Sequence, residues 1–258
     1  MAELSEITRM GIRCAADILR NSKSAVVLSG AGISTASGIP DFRSTDGGLW
    51  EIYDPFEVAS LASFRYNPER FFDWMHPLAM NMSVAEPNVA HYGLARLEQA
   101  GWIKTIITQN IDALHQRAGS RHVIEIHGSL QALTCVRCYT QYPSSQFLPD
   151  YLENKQIPYC PECGGVLKPN LVLFGEQLPA QAWLAAMQAS KTCDVMIVIG
   201  SSLEVLPVAG LPMRAVENGA HLILINRNPT YIDVRADVVF NDDLTEIIPL
   251  LALELLGE

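Results

Sequence analysis

Cysteine is scarce in this chain, six in 258 residues, too few for a disulfide-stapled scaffold. Positive charge is scarce as well: 18 Lys and Arg face 28 Asp and Glu, a formal net charge of −10. Without a cationic surplus to displace phosphate counterions, no direct nucleic-acid binding is expected. A cationic peptide is a better match in charge. Long uncharged apolar runs are missing too. The opening "MAELSEITRMGIRCAADILR" is interrupted by Glu6, Arg9 and Arg13, which argues against a signal peptide or a membrane span. Internal repeats and low-complexity segments are absent. What remains is 49% hydrophobic and 18% charged, a composition suited to a large core. A soluble, cytoplasmic protein with no membrane partner is expected.

Short apolar runs with strand character fall at 25–30, 103–110, 122–128, 194–202, 220–228 and 236–240. Most are apolar throughout, as in strands buried on both faces of a parallel sheet. Helix-like segments lie between them. Ile7, Met10, Cys14, Ile18 and Leu19 share one predicted helical face near the start. The 88–101 segment places Val89, Tyr92, Leu94 or Ala95, and Leu97 on one face, with Gly101 as a C-terminal cap. Segments 180–191 and 244–257 behave similarly, with Pro249 early in the latter or kinking it. Alternating strands and helices give an α/β fold with a doubly wound parallel sheet. Two stretches break the rhythm: the aromatic-rich 43–83, read as a loop and a helical insertion, and the cysteine-bearing 132–167.

Four cysteines form two pairs, Cys135-x-x-Cys138 and Cys160-x-x-Cys163, with 21 residues between the pairs. Gly164 and Gly165 are free to take positive φ in a tight turn. Four thiolates from two such knuckles make a closed tetrahedral zinc site, whose default role is structural. Redox pairs are the alternative. Because the zinc shell is full without it, His127 in "EIHGS" is free for another role.

"AVVLSGAGISTASGIPDFR" sets Gly30 and Gly32 directly after the first strand, where small residues allow a pyrophosphate to approach backbone N–H groups. Thr35 stands where a third fingerprint glycine belongs, and a plain tight turn is the alternative. Asp41, Phe42 and Arg43 then offer an acid, a ring and a cation. Gln109, Asn110, Ile111 and Asp112 follow another strand, as do His127, "GSS" (Gly200, Ser201, Ser202) and "NRN" (Asn226, Arg227, Asn228). In doubly wound sheets such strand ends line the ligand crevice. For Asn110 and Asp112 helix capping is the competing reading. His91 and His115 fall inside helix-like segments and read as core or surface residues, and Cys14 and Cys193 as buried thiols.

The ordered set GAGIS–GIPDFR, TQNID, HG, Cys-x-x-Cys…Cys-x-x-Cys, FGE, GSS and IN resembles the sirtuin family, the NAD-dependent protein lysine deacylases. The resemblance runs from about residue 25 to the C-terminus and is closest to prokaryotic members. It implies a Rossmann-like NAD-binding domain over 1–42, 84–131 and 168–258. A cofactor loop and helical insertion would fill 43–83, and a zinc-binding module 132–167. NAD as co-substrate and an acyl-lysine peptide or protein would meet between the domains, with Zn2+ structural. Gly30, Ala31, Gly32, Ser34 and Arg43 would line the phosphate end. Ile39, Asp41, Asn110 and Asp112 would form the nicotinamide pocket, Ser201 and Asn226 would meet the phosphate or adenosine ribose side, and the stretch near Leu244 the adenine. Phe42, Gln109, Ile111, Gly200, Ser202, Arg227 and Asn228 complete the expected cofactor set.

His127 would be the general base, with Asn110 and Asp112 assisting. Val172, Phe174, Gly175 and Glu176 would flank the peptide on one side and Leu203, Glu204 and Val205 on the other, pairing with it as an added strand. The expected activity releases nicotinamide and O-acyl-ADP-ribose. The alternatives are mono-ADP-ribosyl transfer or NAD hydrolysis and, further off, a non-enzymatic NAD sensor. Relatives that remove succinyl or malonyl groups carry a Tyr-x-x-Arg pair, where this chain has Met75 and Leu78. Neither can pair with a carboxylate, so uncharged acyl groups are expected, acetyl first.

Overall fold

The computed structural model describes residues 5–41 and 53–257. All six predicted strands are present: β1 (Ala25–Ser29), β2 (Ile103–Thr108), β3 (Val123–Glu125), β7 (Val195–Ile199), β8 (His221–Ile225) and β9 (Val238–Phe240). They form one parallel sheet in the order β3-β2-β1-β7-β8-β9. Strands β1 and β7 are buried along their whole length, which explains their unbroken apolar sequences. The chain winds outward from β1 to β3, then returns to the opposite side of β1 at β7. That reversal is the topological switch point, and the crevice of such sheets opens at its carboxyl end.

Helices α1 (Glu6–Asn21), α5 (Val89–Gln99) and α10 (Leu244–Leu256) cover one face. Their core includes Val27, Ile106, Ile197 and Ile223 from the sheet. Alternate residues Val26, Leu28, Met196 and Val198 are equally buried and point to the other face. There α8 (Ala180–Thr192) packs on β3 and on α9 (Leu211–Glu217), and α9 packs on β7 and β8. Pro249 is the sixth residue of α10, inside the helix, and Gly101 closes α5 with φ +85°. No helix among the described residues is long and apolar enough to cross a membrane.

The predicted inner faces of two helices are corrected. Helix α1 buries Thr8, Ile12, Ala15, Ala16 and Leu19, while Ile7, Met10 and Cys14 are exposed. Cys14 is therefore not a buried thiol, whereas Cys193 is. In α5 the buried residues are Ala90, His91, Gly93, Leu94, Ala95 and Leu97, with Val89 and Tyr92 outside. Close approach selects these faces. A Cβ on Gly11 would lie 2.9 Å from the Phe240 ring, and one on Gly93 would lie 2.9 Å from Ile248 Cγ2. Small residues mark the seams, so the larger apolar stripe is left outward.

By its contacts the chain divides into two compact units. The described residues of Met1–Ser37, Glu86–Ile126 and Ala180–Glu258 form the first, and those of Gly38–Ala85 and His127–Pro179 form the second. In the second unit β4 (Gly128–Cys135), β5 (Gln141–Pro143) and β6 (Leu167–Leu171) make an antiparallel sheet in the order β5-β4-β6. Helices α3 (Leu61–Tyr66) and α4 (Pro68–Val84) pack through Phe64, Phe71, Phe72 and Trp74, with α2 (Pro55–Val58) against both. Helix α7 (Leu148–Asn154) joins them, its Tyr151 hydroxyl donating to the Phe72 carbonyl at 2.5 Å. The insertion and the cysteine module thus share one unit. The segments 127–131 and 168–179 go with it, because β4 and β6 pair from Cys135–Leu167 to Gly128–Leu171.

Candidate active site

Strand β1 ends in a turn that does not run straight into an α-helix. Gly30 leads into two short 3-10 turns, Ala31–Ile33 and Thr35–Ser37. A Cβ on Gly30 would stand 2.7 Å from the Gly200 carbonyl oxygen, and one on Gly32 would stand 2.8 Å from Gly200 Cα. Gly200, at φ +57°, would in turn press a Cβ to 2.6 Å from the Ile33 nitrogen. The glycines are required by the interlocking of the β1 and β7 turns, a reason the motif alone did not give. Asn88, the N-cap of α5, ties the same turn by donating to the Ile33 carbonyl at 2.8 Å and the Ser37 hydroxyl at 2.9 Å.

Polar side chains gather beside these turns. Asn110 donates its two amide hydrogens to the Gly30 carbonyl and the Ser34 hydroxyl, both at 3.1 Å. Ser34 donates to Asp112 Oδ2 at 2.6 Å, and Asp112 Oδ1 accepts the Leu114 N–H at 2.9 Å. That bond takes up the first N–H of α6 (Leu114–Arg117), whose N-cap position is Ala113, so Asp112 ties the start of the helix to Ser34. With its donors engaged, Asn110 presents its amide oxygen as the acceptor it has left. On the far side of the switch point Gln109 donates to Ser201 Oγ at 2.8 Å. Asn226 accepts the Ser201 N–H at 2.9 Å and donates to its carbonyl at 3.1 Å, and Asn241 donates to the Asn226 carbonyl at 3.0 Å. Asn88 and Asn241 were missed from the sequence; each is a lone Asn at an element boundary, a weak signal by itself.

Other expected residues lie around this network. Ile111, Gly200 and Val205 are half-buried, and Ser202, Glu204, Arg227 and Asn228 are exposed. Leu203 is buried at φ +54°. Leu244 opens α10 and packs against the core. The small-residue turns and hydrogen-bonding strand ends at the switch point suit a dinucleotide.

In the second unit, Ile39 is buried and Asp41 half-buried; Phe42 and Arg43 lie outside the described residues. His127 is half-buried, two residues beyond β3, and its carbonyl accepts the Val172 N–H at 2.8 Å. Phe174 is already paired: its N–H donates to Ala59 and its carbonyl accepts from Leu61, both at 2.9 Å. Gly175 is exposed at φ +87°. The Glu176 carboxylate folds back on its own loop, accepting the Leu173 N–H at 2.8 Å and the Lys168 ammonium at 2.9 Å.

The sulfurs of Cys135, Cys138, Cys160 and Cys163 lie within 4.8 Å of one another, and His127 is not among them. Cys135 and Cys163 are 3.4 Å apart and Cys138 and Cys160 3.6 Å, with no disulfide among them. Tetrahedral Zn–S bonds of about 2.3 Å place sulfurs about 3.8 Å apart, so the donor set fits zinc. Gly164 takes φ +69°, as expected. Gly165 does not need positive φ; a Cβ there would sit 2.8 Å from Cys135 Sγ.

Beneath the Asn110 loop lie two buried histidines. Burial lowers the pKa of His115 to about 3, with nearby His91 pushing the same way. Burial lowers that of His91 to about 4, opposed by Asp112. In the unfolded chain both take up protons near pH 6.5, so the unfolded state binds more protons below that pH. The stability contributed by the neutral rings is complete above pH 6.5 and is lost as pH falls towards 4. Each ring contributes a slope on the order of 1 kcal/mol per pH unit. Urea denaturation at pH 7.5 and 5.5 checks this; equal midpoints contradict it.

Comparison with known proteins places this geometry. A family model described as the Sir2 family matches residues 30–207. An "NAD-dependent protein deacylase 2" of Archaeoglobus fulgidus is 48% identical over 94% of this chain and 95% of its own length. An "NAD-dependent protein deacetylase" of Caldivirga maquilingensis is 46% identical over 96% and 95%. A solved structure of a Sir2 variant with deacetylated p53 peptide and 3′-O-acetyl-ADP-ribose superposes with a TM-score of 0.89. It is 40% identical and covers 94% of this chain and 98% of its own.

Proposed function

The chain belongs to the Sir2 family, and from that premise we propose how its residues carry out NAD-dependent protein lysine deacylation. The protein is an NAD-dependent deacylase: it moves the acyl group of an acyl-lysine to ADP-ribose and releases nicotinamide. The observation that carries the assignment of residues is the Gly30–Ser34–Asn110–Asp112 cluster at the switch point of a parallel sheet.

Bound NAD supplies a glycosidic bond whose cleavage leaves an electrophilic ribose carbon. The side-chain-poor turns at Gly30–Gly32 and Gly200 admit the pyrophosphate. Asn110, its amide hydrogens held by Gly30 and Ser34, would offer its oxygen to the carboxamide of the nicotinamide. Ser201 and Asn226 hold the ribose side in register through their mutual bonds. The acyl-lysine carbonyl oxygen is a weak nucleophile and needs placement more than activation; the 203–205 segment of the first unit would contribute to it. His127 takes the proton from a ribose hydroxyl, a task an imidazole performs at neutral pH. The four cysteines would hold structural zinc, and four thiolate ligands would leave no position for a catalytic water. Cysteines kept as metal thiolates rather than disulfides would suit a reducing, cytoplasmic setting.

Acyl preference follows from α4. Met75 and Leu78 are buried, at 2% and 3% exposure, and offer a succinyl carboxylate no partner. Burying that charge unpaired costs several kcal/mol. A succinyl-lysine peptide is expected to show kcat/KM about a hundredfold or more below its acetyl counterpart; equal values overturn the preference. The function itself is tested by measuring nicotinamide released from NAD with and without acetyl-lysine peptide. Release that requires the peptide supports deacylation; equal release without it identifies an NAD hydrolase.

A further inference from the structure

His115, with the His91 ring packed against it, belongs to a hydrogen-bonded chain that ends at Asn110. His115 Nε2 lies 2.8 Å from Ser29 Oγ, and Ser29 donates its hydroxyl hydrogen to Thr108 Oγ1 at 2.9 Å. Thr108 Oγ1 also accepts the Asn110 backbone N–H at 3.1 Å. Ser29, Thr108, His91 and His115 are all essentially inaccessible to solvent.

Donor counting sets the tautomers. Ser29 has one hydrogen and gives it to Thr108, so it must accept from His115, which therefore carries its proton on Nε2. His91 Nδ1 accepts the Asn88 N–H at 3.3 Å, so its proton is also on Nε2. The nitrogens left over, His91 Nε2 and His115 Nδ1, have no hydrogen-bond partner among the described residues. They are one donor and one acceptor, on rings whose centroids are 5.0 Å apart. The opposite tautomer of His115 would instead set two N–H donors close together in a site without water access, which costs free energy. Each hydrogen thus points one way, from His115 through Ser29 to Thr108, leaving Thr108 to receive the Asn110 amide.

We propose that His115, held in the Nε2–H tautomer beside His91, is a positioning residue that acts through Ser29 and Thr108 to fix the backbone of Asn110 in the nicotinamide pocket. The kinetic part rests on the functional reading of Asn110 given above; the tautomer does not.

Two measurements test it. In the 15N-labelled wild-type protein near pH 7, His115 is expected to show a protonated Nε2 and a bare Nδ1 by long-range 1H–15N correlation. A protonated Nδ1, or an imidazolium, overturns the proposal. In kinetics, His115→Leu and Ser29→Ala are each expected to raise KM for NAD about tenfold, the cost of leaving a buried partner unsatisfied, with KM for the peptide unchanged. His115→Gln, whose amide donor reaches the same place, is expected to recover most of that loss. The His115→Leu/Ser29→Ala double variant is expected to be no worse than Ser29→Ala alone. Strictly additive losses, or equal rises in both KM values, overturn the relay. Should His115→Leu fail to fold, Ser29→Ala and the tautomer still decide. A wild-type protein that turns over no NAD refutes the functional reading, and the tautomer measurement then stands by itself.

Discussion

Replacing His127 with Ala is expected to lower kcat for deacylation by about 10²–10⁴-fold, the range that a positioned acid–base group contributes. The fold is expected to survive the change. His127 is outside the four-cysteine cluster and only half-buried, and its bond to the Val172 N–H is made by the backbone carbonyl, which the substitution keeps. The far-UV spectrum, thermal midpoint and NAD affinity are therefore expected to stay near the wild-type values. Loss of deacylation together with loss of fold assigns His127 a structural role. Retained kcat removes it from the proton-transfer step.

Removing the metal has the other large effect. The small core beneath the site consists of Leu133, Cys135, Cys160 and Leu167, with Tyr142, Phe147 and Cys163 packed against it. Three of these seven residues are the expected ligands themselves, so little apolar burial remains to order the β5-β4-β6 sheet without an ion. Structural zinc contributes apparent binding free energies of about 10–16 kcal/mol in small zinc modules. Cys135→Ala, or chelation of the wild-type protein, is expected to lower the thermal midpoint by about 10 °C or more and to expose 132–167 to protease. The aromatic cluster of Phe64, Phe71 and Phe72 contains no ligand, so α3 and α4 should persist longest. A Cys135→Ala protein that is metal-free and as stable as the wild type contradicts the structural-zinc account.

How much of this was legible in the sequence differed by element. The six strands of the parallel sheet were, because strands buried on both faces are written as uninterrupted apolar runs such as AVVLS and VMIVI. The cysteine cluster was, because ligand spacing is local in the chain. The inner faces of α1 and α5 were not. Apolar periodicity favoured Ile7, Met10, Val89 and Tyr92, but close packing against Phe240 and Ile248 chose the faces bearing Gly11 and Gly93. The unit boundaries were also hidden, since the pairing of β4 with β6 joins residues far apart in sequence. At the site, Gly30 and Gly32 stood out by position, yet their reason, contact with Gly200, is a long-range one. Glu176 stood out as a peptide contact, and the structure occupies its carboxylate with Lys168 and the Leu173 N–H.

The most direct test of the account follows the acyl group itself. The protein is incubated with acetyl-lysine peptide and NAD, and every product is quantified by mass spectrometry. The account predicts equal amounts of free lysine peptide, nicotinamide and acetylated ADP-ribose. Free acetate beside unmodified ADP-ribose, or ADP-ribose attached to the peptide, would contradict it.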